Sequence, residues 1–232
     1  MKKAYFNWST GKDSALALYK ILQDKSYSTE VLVTTVSKRL QRVSMHGVRE
    51  ELLESQAKQI GLPLYKIYFP EDVSMETYNI IMKENLEKLI IPNKYEYAVF
   101  GDIFLEDLKA FREKKLSELN LKAVFPLWKS NTKELLLEFI SLGFKAITVS
   151  VNANLLDESF VGRILDENFI NNLPPNVDVC GENGEFHTFV FDGPIFKTPI
   201  KFEVGEKVLK TYESSDNDTW DNSFWYCDLK PI

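Results

Sequence analysis

From residue 3 to residue 126 the sequence alternates short strand-like runs with stretches of helical period, and no other feature limits the fold as much. Lys3–Trp8, Glu30–Val36, Leu64–Phe69, Tyr97–Phe100 and Ala123–Pro126 are short and read as strands, several of them rich in β-branched or aromatic residues. Between them lie Lys12–Leu22, with Ala15, Leu16, Leu18, Tyr19 and Leu22 at helical spacing, and Arg49–Ile60, with Leu52, Leu53, Ala57 and Ile60 on one face. Gly61 follows the second as a C-cap. Ser74–Ile91 reads as a long helix with Met75, Tyr78, Met82, Leu89 and Ile90 inward, and Leu105–Leu119 as a fourth helix. Parallel strands joined by right-handed crossovers, with helices on both faces, satisfy this alternation. The expected class is α/β. In such sheets ligands bind beyond the carboxyl ends of the strands, so Ser9–Ser14, Thr34–His46 and Gly101-Asp102 are expected to converge on one crevice.

The second half has another rhythm. Asn131-Thr132-Lys133-Glu134 has the form of a helix start, Leu135, Leu136, Phe139 and Ile140 continue it, and Gly143 ends it. Ala146–Val151 reads as a strand. Phe186–Phe191, Ile200–Val204 and Lys207–Tyr212 read as antiparallel strands, with Gly205-Glu206 as the hairpin between the last two. Ser223–Asp228 adds a strand, and the acidic segment Glu213–Asn222 reads as a loop. A boundary near residue 128 divides 1–128 from a smaller α+β unit, 129–232.

Composition narrows the function. Hydrophobic residues are 44% of the 232, so the chain can bury a core without disulfides. Lys plus Arg is 28 against 34 for Asp plus Glu, a net charge of −6, which disfavours broad contact with nucleic-acid phosphates. Cys180 and Cys227 are far apart, as are His46 and His187, so neither a structural zinc site nor a disulfide framework is expected. The start of the sequence is no signal peptide, and no apolar stretch approaches the roughly 20 residues that span a bilayer. The expected location is the cytoplasm.

The chemistry is concentrated in Ser9-Thr10-Gly11-Lys12-Asp13-Ser14, between the first strand and the first helix. A tight turn there aims backbone N–H groups at one point with a helix N-terminus behind them, which is an anion site. Gly11 permits close approach, Ser9 and Ser14 add hydroxyls, and Lys12 adds charge. A Walker A loop is excluded: Phe6 stands where its first glycine would be, and Asp13 separates Lys12 from Ser14.

The hexamer resembles the PP-loop of the N-type ATP pyrophosphatases, Ser-Gly-Gly-Lys-Asp-Ser, with Thr10 in place of the first glycine. Thr does not take glycine's extra backbone angles cheaply, so a positive φ at this position would disfavour it. Leu155–Arg163 and Cys180-Gly181-Glu182-Asn183-Gly184-Glu185-Phe186-His187-Thr188 resemble signature segments of the diphthine–ammonia ligase family. His46-Gly47-Val48, Gly101-Asp102-Ile103, Phe125-Pro126-Leu127-Trp128 and Asp192-Gly193-Pro194 add to the likeness, which runs from about residue 3 to about residue 196.

The resemblance implies a Rossmann-like (HUP-type) nucleotide domain over 1–128 and a substrate domain over 129–232. It implies a ligase that uses ATP and ammonium to amidate the carboxylate of diphthine on elongation factor 2, releasing AMP and pyrophosphate. Ser9, Thr10, Gly11, Lys12, Asp13 and Ser14 are then expected to bind phosphates, with Asp13 helping to hold Mg²⁺. Thr34, Thr35, His46, Gly101 and Asp102 are further nucleotide-site candidates, Thr34 and Thr35 lining an adenine pocket. Lys12 and Asp13, with Glu182, Glu185 and His187, are the catalytic candidates, Glu182 or Glu185 binding ammonium and accepting its proton. Glu158, Arg163 and Asn183 are the substrate-binding candidates. At this level Asp102 as a helix cap and Asp157, Glu158 and Arg163 as a salt-bridge set remain open readings. So do a PP-loop ATP pyrophosphatase with another acceptor, the expected reading for a bacterial host without diphthine, and a nucleotide-binding protein without turnover.

Overall fold

The computed structural model describes residues 1–71, 73–212 and 222–232. Strands β1 (Lys2–Asn7), β2 (Tyr27–Ser37), β3 (Arg42–Val43), β4 (Leu64–Phe69), β5 (Tyr97–Val99) and β6 (Lys122–Val124) form the first sheet. β1 pairs in parallel with β2 and β5, β2 with β4, and β5 with β6. β3 departs from the expected all-parallel arrangement. It runs antiparallel to the end of β2, through Val36–Val43 and Ser37–Arg42. Two residues carry no readable period, yet β3 folds the segment after β2 back over the sheet's carboxyl edge.

Alternation along the strands sends neighbouring side chains to opposite faces. Ala4, Phe6 and Trp8 join Leu16 and Leu18 of helix α1 (Lys12–Gln23) and Leu52 and Leu53 of α2 (Glu50–Ile60) in one cluster. Tyr5, Val31 and Val33 join Leu86 and Leu89 of α3 (Met75–Asn93) and Leu116 of α4 (Glu106–Ser117) in the other. Both faces are therefore covered by helices, as expected. Gly61 is the C-cap of α2 at φ 83°, and Ser74 caps α3 by accepting from the Thr77 N–H at 3.1 Å. Met75, read as inward, is 64% exposed: it is the first residue of α3, whose buried contacts come from Leu86, Leu89 and Ile90 in its second half.

Helix α5 (Thr132–Ser141), capped by Asn131 through the Glu134 N–H at 3.1 Å, leads into the second sheet. Strands β7 (Lys145–Asn152), β8 (Phe186–Asp192), β9 (Phe202–Tyr212) and β10 (Asn222–Pro231) are all antiparallel in the order β8-β7-β10-β9. The β7–β8 connection carries a 3-10 turn (Glu158–Phe160) and helix α6 (Glu167–Asn172). The hairpin expected at Gly205-Glu206 is absent, and one strand runs through it. There the register shifts, so that Gly205 and Glu206 stand opposite Asp228 alone as a bulge. A Cβ on Gly205 would lie 3.1 Å from the Asp228 carbonyl oxygen, so the glycine serves close strand approach rather than a turn. Most of the expected 213–222 loop lies outside the described residues. The cluster on the α1 and α2 face also contains Ala146, Val149, Val151, Phe186 and Phe189, so one core runs between the two sheets.

Candidate active site

The chain leaves β1 at Asn7 and enters α1 at Lys12, so the phosphate-type loop crosses the sheet's carboxyl edge. Gly11 is the N-cap of α1 and offers no side chain. A residue from the other sheet supplies the missing acceptor: the Lys12 N–H donates to Thr188 Oγ1, on β8, at 3.0 Å. A Cβ on Gly11 would lie 2.8 Å from His46 Cε1 and 3.2 Å from the Thr188 carbonyl, so only glycine lets β8 and His46 close on the loop. Ser14 Oγ donates to the Gly11 carbonyl at 2.9 Å, and Ser9 Oγ donates to Ser14 Oγ at 3.1 Å.

Thr10 has φ 76°, the left-handed region that a β-branched residue avoids. This is the position where the PP-loop pattern carries glycine. The Thr10 carbonyl accepts from the Val190 N–H at 2.9 Å and from Gln56 Nε2 at 3.0 Å. Its hydroxyl is buried with no hydrogen-bond partner among the described residues.

Lys12 is 3% exposed. Its ammonium donates to Asp13 at 2.7 Å and to the Cys180 carbonyl, and lies 5.4 Å from the Phe186 ring centroid. Burial works to lower the Lys12 pKa, but Asp13, Cys180 and Glu182 outweigh it and hold the ammonium above its ordinary value. Gly101, after β5, comes so close beneath the helix that a Cβ would lie 2.9 Å from the Ser14 nitrogen.

The loop before β8 arrives from the opposite side. Glu182 accepts from the Ile103 N–H at 2.7 Å and the Phe104 N–H at 3.4 Å. Burial, with Asp13 and Asp102 nearby, lifts its pKa to about 7. Glu185 is 3% exposed and holds the loop's shape: it accepts from the Asp178 N–H at 3.0 Å and from the Asn183 N–H and Nδ2 at 2.9 and 3.0 Å. Those bonds also place Asn183. His46 and His187 lie 4.7 Å apart between ring centroids. His46 Nδ1 is 3.1 Å from the Thr188 carbonyl, which only accepts, so Nδ1 carries the proton and Nε2 is left as an acceptor. Burial holds both rings neutral, with pKa values lowered to about 3 for His46 and about 4 for His187.

Several candidates stand in other roles. Asp102 pairs with Arg112: Oδ1 accepts from Nη2 at 3.1 Å, and Oδ2 lies at ion-pair distance, 2.8 Å, from Nε; Leu105, not Asp102, is the N-cap of α4. Thr34 is buried and donates to the Trp8 carbonyl at 2.8 Å, and the Thr35 carbonyl accepts from the Ser44 N–H at 3.0 Å. These bonds brace the loops that follow β1 and β2. Arg163 lies over the Phe160 and Phe169 rings at 5.1 and 5.5 Å, and the Glu158 carbonyl accepts from Lys207. Asp157 caps its turn through the Ser159 N–H at 2.8 Å, so its bond is local rather than part of a salt-bridge set with Arg163. Sequence reasoning assigned no role to Thr188, Arg112 or Gln56. Gln56 left a signal, a polar residue at helical spacing among Leu52, Leu53 and Ile60.

A strand–loop–helix turn with a buried lysine, faced by an acidic loop from a second sheet, suits a substrate that carries phosphate beside a group needing proton transfer. The diphthamide synthase N-terminal domain model matches residues 1–123, and the diphthamide synthase C-terminal domain model matches 131–231. The chain belongs to the diphthamide synthase family. It is similar to the human diphthine–ammonia ligase, 31% identical over 182 residues that cover 72% of this chain and 68% of that one. The relative from Danio rerio, also a diphthine–ammonia ligase, is 28% identical over 225 residues, 87% of this chain and 86% of that one. Among solved structures, a U34-tRNA thiolase from Methanococcus maripaludis covers 61% of this chain and 57% of its own, at 21% identity and a TM-score of 0.38. That likeness is too slight to build on. No described helix is long and apolar enough to cross a membrane. Nor do the described residues of this diphthamide synthase relative bring together three or more His, Cys, Asp or Glu side chains that could hold a metal ion.

Proposed function

We propose that the chain is an ATP-dependent ligase that amidates the carboxylate of diphthine on elongation factor 2, using ammonia and an acyl-adenylate. The observation that carries this reading is the meeting of Lys12, at the head of α1, with the Cys180–Glu185 loop of the second sheet. One side is built for phosphate and the other for a proton.

A carboxylate is a poor acyl donor because oxide is its leaving group. In the proposed first step a carboxylate oxygen attacks the α-phosphorus of ATP and pyrophosphate leaves. The Lys12 ammonium exchanges the Cys180 carbonyl for phosphate oxygens and offsets their charge. In the second step ammonia attacks the acyl carbon and AMP leaves with the acyl oxygen. Glu182, poised near pH 7, takes the proton that the attacking nitrogen gives up. Asp13 is a single carboxylate already paired with Lys12. That suits Mg²⁺ brought in with the triphosphate rather than a resident ion. Residues 1–128 are the nucleotide half and 129–232 the substrate half, working in the cytoplasm. Asn183 and Glu185 shape the substrate side.

The test is isotopic. With an ¹⁸O-labelled acceptor carboxylate, one label should pass to AMP for each amide formed. Label found in inorganic phosphate, with ADP as product, would replace the adenylate by an acyl phosphate.

A further inference from the structure

Gln56 lies on α2, in the unit after the phosphate loop, and is fully buried. Its carboxamide is engaged at both ends. Oε1 accepts from the Trp8 indole N–H at 2.8 Å, and Nε2 donates to the Thr10 carbonyl at 3.0 Å and the Val190 carbonyl at 2.6 Å. The Val190 N–H donates to the same Thr10 carbonyl at 2.9 Å. One side chain therefore ties the end of β1, the loop and β8 together at the Thr10 peptide. Thr10 is also the residue that needs holding: a β-branched side chain at φ 76°, buried, with its hydroxyl unpartnered among the described residues. Such a conformation persists only where its surroundings over-determine it.

We propose that Gln56 is a positioning residue that holds the Thr10 peptide in its left-handed conformation, and so keeps the loop N–H groups aimed at the triphosphate. This rests on the ATP reading above. A glycine at position 10 would take the same angles without support. Without Gln56, Thr10 relaxes and the competent loop becomes a minor population, so the apparent affinity falls by the fraction lost.

The experiment is a double-mutant cycle on the full chain, with Gln56→Met, Thr10→Gly and the pair. ATP affinity is read by calorimetry and stability by thermal unfolding. Gln56→Met should weaken ATP binding about tenfold in the Thr10 background and less than about threefold with Thr10→Gly. Equal loss in both backgrounds would make Gln56 an ordinary core amide and overturn the proposal. If Gln56→Met does not fold, Gln56→Asn, whose amide is one methylene short of the Thr10 carbonyl, takes its place with the same expectation. The two readings fail separately. If the wild type binds no ATP but the cycle still shows coupling in unfolding, the loop role stands and the nucleotide reading falls. If the wild type binds ATP and the cycle is additive, the nucleotide reading stands and the role of Gln56 falls.

Discussion

The Lys12 ammonium is almost fully buried and held by one carboxylate and one carbonyl, so its removal has two separable effects. Lys12→Ala should lower the rate of AMP formation by about 10²–10³, the range for losing one group that stabilises transition-state charge. It should also leave Asp13 without its counter-charge, which lowers the melting temperature. An unchanged rate would remove Lys12 from the mechanism. Glu182 gives a pH test whose sign is fixed by its raised value. Between its ordinary 4.5 and about 7 the folded protein keeps a proton that the unfolded chain releases. Stability from this group is therefore lost as pH rises through that window. Glu182→Gln should gain on the wild type in melting temperature between pH 5 and pH 8, and should lose the acid limb of the rate profile near pH 7. The histidines run the other way. Their values are lowered from 6.5 to about 3 and about 4, so their contribution is present above pH 6.5 and lost as pH falls below it. A His46→Gln, His187→Gln double variant should flatten the fall in melting temperature between pH 6.5 and 4; an unaltered slope would mean that the rings are charged in the folded state.

The segment that carries His46 is anchored by a strand from the far end of the chain. Asp228, on β10, takes Arg42 Nη2 at 2.8 Å and Arg49 Nη2 at 2.6 Å, while Arg42 Nη1 donates to the Gly47 carbonyl at 2.7 Å. The two guanidiniums, led by Arg49, hold the Asp228 carboxyl down to about 2 against partial burial. The arginines are about a third exposed, so screening limits the value of the bridge. Asp228→Asn should cost about 1 kcal/mol, roughly 2–4 °C in a chain of this size, and the difference should shrink in 1 M salt. A cost that ignores salt would assign it to packing. This is also where sequence reading stopped. Helices α1 to α5 and the parallel strands were legible because their apolar residues recur at 3.6 or 2, as in Lys12–Gln23 and Leu64–Phe69, whereas the six-residue α6 is too short to show a period. β3 was not, since its two residues are held by partners rather than by pattern. The expected hairpin at Gly205-Glu206 failed because glycine marks a close strand approach as readily as a turn. At the site, the loop and the acidic run were legible as types of residue at strand ends. That Thr188 caps α1, or that Asp102 belongs to Arg112, depends on pairings 176 and 10 residues apart, which no local spacing encodes.

The two sheets share a core, and the candidate site draws residues from both. Phe186 and Phe189 of the second sheet lie in the same cluster as Leu16 and Leu18 of the first unit, and β8 supplies the cap of α1. The halves should therefore unfold together: scanning calorimetry should show one transition with equal calorimetric and van't Hoff enthalpies. Two resolved transitions would make the halves independent and the shared site a weak docking. The proposed function makes the same demand, because the group it assigns to phosphate charge, Lys12, lies in one half and the group it assigns to the proton, Glu182, lies in the other. The most direct measurement is product analysis with Mg-ATP, ammonium and elongation factor 2 that bears diphthine. The account predicts one AMP and one pyrophosphate for each amide, dependent on ammonium and slowed about 10²–10³-fold by Lys12→Ala. ADP and phosphate as products, or nucleotide cleavage that does not need ammonium for the amide to appear, would contradict it.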